Sequence, residues 1–130
     1  MPLLVPTSPG DFLDRVTILE IKSDRIRDAA KLENVRRELE ALRATWKASP
    51  LASHDVAATV AELRQVNEAL WDIEDRIREK EAARAFDAEF VELARSVYRT
   101  NDRRAALKRD LNVRLGSELI EEKSYSKYEE

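Results

Sequence analysis

The chain has no cysteine, one histidine and only two glycines. Without cysteine there are no disulfides, no thiolate metal sites and no thiol nucleophile. One histidine, His54, is a poor foundation for a catalytic triad or for the paired Glu-x-x-His motifs of a di-iron bundle. Two isolated glycines exclude a glycine-rich phosphate loop. No apolar run approaches the ~20 residues of a membrane span. The opening "MPLLVPTSPG" has no basic region and reaches Asp11 too soon for a signal peptide. A cytoplasmic location is the simplest expectation.

What is present favours helix. Charged residues make up 38% of the 130 residues and hydrophobic residues 43%, with Ala, Leu, Glu and Arg abundant. One domain spanning residues 1–130 is expected. It comprises an extended arm at 1–8, a helical body, and an acidic, tyrosine-containing tail at 117–130. The net charge of −3 argues against general nucleic-acid binding, and the arginine row Arg95, Arg99 and Arg103 is offset by Asp102 and the tail.

Local signals divide the body. Ser8, Pro9 and Asp11 form a helix start with a capping residue, a first-turn proline and a capping-box acid. Apolar residues then recur at Phe12, Val16, Leu19 and Ile26, and again, one position out of phase, at Leu32, Val35, Leu39, Leu42 and Trp46. Either one long helix carries an irregularity near Ala29–Lys31 or two helices abut there. The absence of Gly and Pro favours the single helix. "KASPLASHD" breaks the pattern, with Ser53 or Asp55 available to cap a helix carrying Val56 to Ile77. Asp87 can cap a last helix that ends at Gly116. The fold expected is all-α, an antiparallel bundle of three to four long amphipathic helices, dimerising to cover its apolar stripes.

Polar residues interrupt those stripes. Glu20 and Asp24 lie one turn apart beside the first stripe, in a row continued backwards by Thr17 and Asp14. Asn67 stands where periodicity asks for an apolar residue, and Glu74 lies next to the Leu70–Ile77 seam. On the last helix Asn101 and Lys108 approach the seam, flanked by Arg95, Tyr98 and Asp102. Buried charge must be neutralised. This polar seam is therefore either a packing-specificity device or a ligand- or partner-binding site. If it is a metal site, Glu20, Asp24, Glu74 and Asp102 supply the hard oxygen ligands that suit Mg²⁺, with Arg95 and Lys108 holding phosphate. Otherwise no cofactor is expected. Two functions remain in play: an interaction module for a protein partner or small anionic metabolite, and a Mg²⁺-dependent enzyme acting on a phosphate-containing metabolite such as a nucleotide. "LRQVNEALWDIED" also has a faint similarity to the first helix of small helical chorismate mutases, without their aspartate pattern.

Three stretches together carry a wider resemblance. They are "VPTSPGDFLDRVTILEIKSDRI", "NEALWDIEDRIRE" with "FVELARSVYRTNDRRAALKRDLN", and "GSELIEEKSYSKYE". In combination the chain resembles a bacterial all-helical family of unknown function, often encoded near cell-surface polysaccharide and glycosyltransferase genes. The resemblance implies a cytoplasmic helper in surface-polysaccharide metabolism and supplies no catalytic residues. The tail sequence "EEKSYSKY" also suggests docking, since tyrosines pair apolar area with a hydrogen-bonding end. Glu121 or Glu122 is expected to meet the arginines of the last helix.

Overall fold

The computed structural model describes residues 1–128. It contains four helices, α1 (Pro9–Arg25), α2 (Ala29–Ala48), α3 (Ala57–Ala82) and α4 (Ala88–Arg114), with a short 3₁₀ turn at Pro50–Ser53. Among the described residues there is no strand, and residues 3–5 are exposed and outside any helix. No helix among the described residues is long and apolar enough to cross a membrane. The expected all-α packed bundle is what the chain forms.

The caps explain the boundaries. Ser8 Oγ accepts from the Asp11 amide at 3.1 Å, and Asp87 caps α4 by accepting from the Phe90 amide at 3.0 Å. Each satisfies an amide that the first helical turn leaves without a partner. Gly116 ends α4 at φ +64°, with the Ser117 amide donating back to the Asn112 carbonyl at 2.8 Å, the six-to-one closure that a left-handed residue permits. At the start of α3, Asp55 accepts from the Ala57 amide at 3.3 Å, whereas Ser53 turns back to the Pro50 carbonyl.

The stretch 9–48 is two helices, which corrects the preference for one. Ile26 is extended (φ −76°, ψ 133°) and Asp28 caps α2 by accepting from the Lys31 amide at 2.9 Å. A continuous helix would have aimed the two out-of-phase stripes at different faces. Reversing the chain at 26–28 lets both face each other, and Phe12 stacks on Trp46 with ring centroids 6.1 Å apart.

Helix α1 is the hub. It packs against α2, α3 and α4, while the α2 backbone runs close only to α1 and the 3₁₀ turn among the described residues. Burial follows: α1 buries Leu13, Leu19 and Ile21 together with polar Asp14 and Thr17, whereas α2 buries only Leu39. The apolar centre lies at the end of the bundle where α1 and α3 begin and α4 finishes. Leu13, Val56, Leu63, Leu111 and Leu115 form it, with Phe12, Trp46 and Leu107 packed around.

Gly10 brings the start of α1 close to α4. Its amide donates to Asn112 Oδ1 at 2.7 Å, and a Cβ there would lie 2.4 Å from the Lys108 carbonyl oxygen and 2.8 Å from Asn112 Oδ1. Only glycine lets α1 start this near α4. Gly10→Ala is expected to destabilise the fold by about 1–3 kcal/mol, the range for overpacking a close contact. Urea unfolding of the two proteins checks this, and an unchanged midpoint would refute the close approach.

Candidate functional site

Immediately beyond the apolar centre, three helices meet through polar groups. Asp14 and Thr17 of α1 are buried, and so is Asn67 of α3. Asn67 Nδ2 donates to Asp14 Oδ1 and to Thr17 Oγ1, both at 2.9 Å, and Thr17 Oγ1 donates to the Asp14 carbonyl at 2.7 Å. From α4, Arg104 closes on the same carboxylate, Nε to Oδ1 at 2.9 Å and Nη2 to Oδ2 at 2.5 Å. A fork of this kind matches guanidinium to carboxylate geometrically as well as electrically. The hydrogen bond to Asp14 raises the Arg104 pKa above its ordinary value despite partial burial.

One turn further along α4, Lys108 reaches Asp11 Oδ1 at 2.9 Å and Glu121 Oε2 of the tail at 3.2 Å. Burial lowers the Lys108 pKa, but the hydrogen bonds to these two acids outweigh it and the net shift is upward. The tail therefore folds back along α4. Glu122 sits on Arg109 at 3.2 Å, Tyr128 donates to Asp102, and the Tyr98 and Tyr128 rings meet edge to face at 4.9 Å. The expected docking by Glu121 or Glu122 is seen here, with a lysine as well as an arginine receiving it. Glu129 and Glu130, the end of the tail, lie outside the described residues.

Tail and helix enclose an open groove of about 1310 Å³, lined on the α4 side by Tyr98, Asn101, Asp102 and Arg104 and on the tail side by Lys123, Tyr125, Lys127 and Tyr128. Three cations against one carboxylate line it, in a chain whose net charge is −3. Tyr125 stands 74% exposed, with the Lys123 ammonium 5.8 Å from its ring centroid.

The candidate residues from the sequence thus fall into separate groups. Tyr98, Asn101 and Asp102 line the groove, and Lys108 lies just beyond it under the tail. Asn67 belongs to the buried knot behind Arg104. Glu20 and Asp24 form an ion-pair seam across α1, α2 and α3: Glu20 meets Arg43 at 3.0 Å and Arg64 at 3.9 Å, and Arg64 also holds Asp24 at 2.7 Å and Glu68 at 3.0 Å. Glu74 pairs with Arg78 and Arg95 with Glu92, both within their own helices. The proposed ligand set Glu20, Asp24, Glu74 and Asp102 is not brought together. Among the described residues no three acidic or histidine side chains are placed to hold a metal ion.

The sequence pattern places Asp14 only at the back of a polar row and does not single out Arg104, yet the two form the central contact. A usable signal existed, since Asp14 and Thr17 at i and i+3 place two polar groups on one helical row, as Arg104 and Lys108 do at i and i+4. The tail residues Lys123 and Tyr128 carried no such signal.

Replacing Arg104 with Met is expected to cost about 2–3 kcal/mol. That figure discounts the ~3–5 kcal/mol of a fully buried pair because Arg104 is partly exposed. Glu20→Gln, in a half-exposed seam, should cost less than about 1 kcal/mol. Chemical denaturation ranks the two, and equal losses would mean that Asp14 is not the buried charge described above.

Glu121 gives a pH dependence. Lys123 first, and Lys108 next, hold its carboxyl below the ordinary value of 4.5. The part that Lys108 supplies is docking energy, complete above 4.5 and lost as pH falls through the lowered folded-state value, whereas the Lys123 pair lies within the tail. Amide resonances of residues 119–128 should shift towards those of a free chain on acidification, before helical circular dichroism is lost. A tail that stays docked until the helices melt would contradict this.

No curated protein and no solved structure matches the chain. A family pattern does, over residues 3–128, which takes in the arm, all four helices and the tail. The bundle, its polar knot and the docked tail are thus features of a chain that belongs to DUF6165, a family of unknown function.

Proposed function

We propose that the chain is a binding module rather than a catalyst, and that the groove between α4 and its own tail takes a small anionic ligand. The observation that carries this reading is the lining: Arg104, Lys123 and Lys127 with Asp102, Arg104 being shared with Asp14 and Lys123 with Glu121 from outside the groove, on a protein whose overall charge is negative. The tyrosines add faces for stacking, while Asn101 and Asp102 add one amide and one acceptor for hydroxyl groups. A ring bearing hydroxyls and a phosphate meets all of these requirements, so the ligand class favoured is a sugar phosphate or sugar nucleotide. The resemblance of the chain to bacterial proteins encoded near polysaccharide genes points the same way and suggests a cytoplasmic accessory role in that metabolism.

A thermal-shift screen tests this with inorganic phosphate, sugar phosphates and nucleoside diphosphate sugars, each with and without Mg²⁺. A ligand at about 100 times its dissociation constant adds ~2.7 kcal/mol to stability, several degrees for a chain of this size. The shift should vanish in Tyr98→Ala and in Lys123→Ala, both at exposed or tail positions that the core does not need. A shift that requires Mg²⁺ would instead bring forward the phosphate-processing enzyme. A flat screen at millimolar ligand would overturn the small-ligand reading in favour of a protein partner.

A further inference from the structure

The polar groups lining the groove differ in what they already hold. Arg104 spends Nε and Nη2 on Asp14. Lys123 sits on Glu121 at 3.2 Å and approaches the Tyr125 ring. Asp102 receives the Tyr128 hydroxyl, and the rings of Tyr98 and Tyr128 are turned on each other. Of the larger polar side chains in the lining, Asn101, Lys127 and Tyr125 remain. Among the described residues the Asn101 carboxamide makes no hydrogen bond and Lys127 makes no ion pair.

Asn101 is the unusual member of this set. It stands halfway along α4, where asparagine weakens a helix because its side chain competes for backbone groups. The two other asparagines turned into the bundle have partners that explain them. Asn67 donates to Asp14 and Thr17, and Asn112 accepts from the Gly10 amide. Asn101 is half-buried in the groove with no such task. Val97, Tyr98, Arg104 and Ala105, three or four residues away on either side, line the groove as well. The face that α4 presents to the groove is therefore centred on Asn101.

The unspent groups describe a ligand. A carboxamide holds a donor and an acceptor side by side in one plane. A partner that uses both must present the complementary pair in one plane too, as the edge of a nucleobase does, and asparagine pairs with such an edge through two bonds. Val97 and Ala105 leave flat apolar ground beside the amide, and the 74% exposed Tyr125 offers a ring for stacking. Lys127 is free to hold an anion. Size points the same way, since a groove of about 1310 Å³ exceeds the ~300–1,000 Å³ that suits one drug-sized molecule. A single phosphorylated sugar would leave most of it empty.

We propose that Asn101 is the specificity-determining residue of the groove and reads the edge of a nucleobase, so that the ligand is a nucleoside diphosphate or its sugar conjugate. This rests on the reading of the groove as an anion site and goes beyond it by naming the group that selects among anions. Lys127 holds the diphosphate, and Tyr125 covers the base.

Isothermal titration of the full chain tests this with the uridine, adenosine, guanosine and cytidine diphosphates, and with inorganic diphosphate and glucose 1-phosphate as ligands that lack a base. At least one nucleoside diphosphate should bind tighter than both controls by about tenfold or more, the smaller end of what a two-bond base contact is worth. Asn101→Ala should abolish that preference while melting no lower without ligand, because alanine is the better helix former and no hydrogen bond is lost. Asn101→Asp keeps the shape but presents two acceptors, and should move the preference towards guanosine diphosphate, whose ring edge offers two donors side by side. Three results would overturn the inference and leave the groove an anion site: nucleoside diphosphates no tighter than diphosphate, glucose 1-phosphate as tight as the best of them, or a preference that survives Asn101→Ala. Binding of none of these ligands, diphosphate included, would overturn the anion reading together with it.

Discussion

The carboxylate of Asp14 is the contact on which the rest of the structure depends. It is buried where α1, α3 and α4 meet, and an unpaired charge there would be far too expensive to keep. Its two oxygens are used by Arg104 and Asn67, so neither helix can slide against α1 without uncovering it. The lock is repeated along α4 at intervals of four residues. Arg104 meets Asp14, Lys108 meets Asp11, and Asn112 receives the Gly10 amide. Apolar packing between helices tolerates a shift of one turn much better than three charged or amide contacts do. The knot therefore sets register more than it adds stability, in keeping with the modest net worth of buried ion pairs relative to apolar packing.

Fixing α1 in this way has a consequence at each of its ends. At its start, the three-helix contact produces the apolar centre around Leu63 and Leu111, both fully buried. At its finish, α1 leaves α3 and α4 unaccompanied, and α2 is held on one flank by α1 alone. The Glu20–Arg43 and Asp24–Arg64 pairs belong to this second region. They tie α2 and α3 to α1 where apolar coverage is thinning. The two acids beside the first apolar stripe are thus explained as bridges between helices. Near the end of α1, the neighbouring helices α2 and α3 each offer an arginine to these acids.

The parts of this arrangement legible in the sequence were the local ones. Ser8, Asp87 and Gly116 act on amides and carbonyls within one turn of themselves, so residue type and position were enough to place them. The docking of the tail was also legible, because "EEKSY" has charges and rings that a solvated terminus does not use. The break at 26–28 was harder. Asp28 caps as well as Asp87 does, but no Gly or Pro accompanies it and the phase slip alone allowed either outcome. Partners of Glu20 and Asp24 could not be read at all, since Arg43 and Arg64 lie 23 and 40 residues away. For the same reason Glu74 and Asp102 could be grouped with them on paper, although the fold sends each to a different neighbour. Asp14 was visible only as part of a row. Its importance comes from Arg104, 90 residues distant.

Arg104 joins the register lock to the groove. One side of its guanidinium holds Asp14, and the same residue lines the space beneath Tyr125 and Tyr128. The groove has a second wall only while the tail is docked, so an anion bound there sees a site whose competent fraction is the docked fraction. Binding must then favour docking by the same free energy with which docking favours binding. The ion pairs of Glu121 and Glu122 with Lys108 and Arg109 lie just outside the groove. They stabilise the wall without occupying the space, and Glu121 also holds Lys123 of the lining at 3.2 Å. A helix that carries its register contacts on one face thereby also fixes the groove wall on the next. The groove is as well positioned as the buried carboxylate behind it.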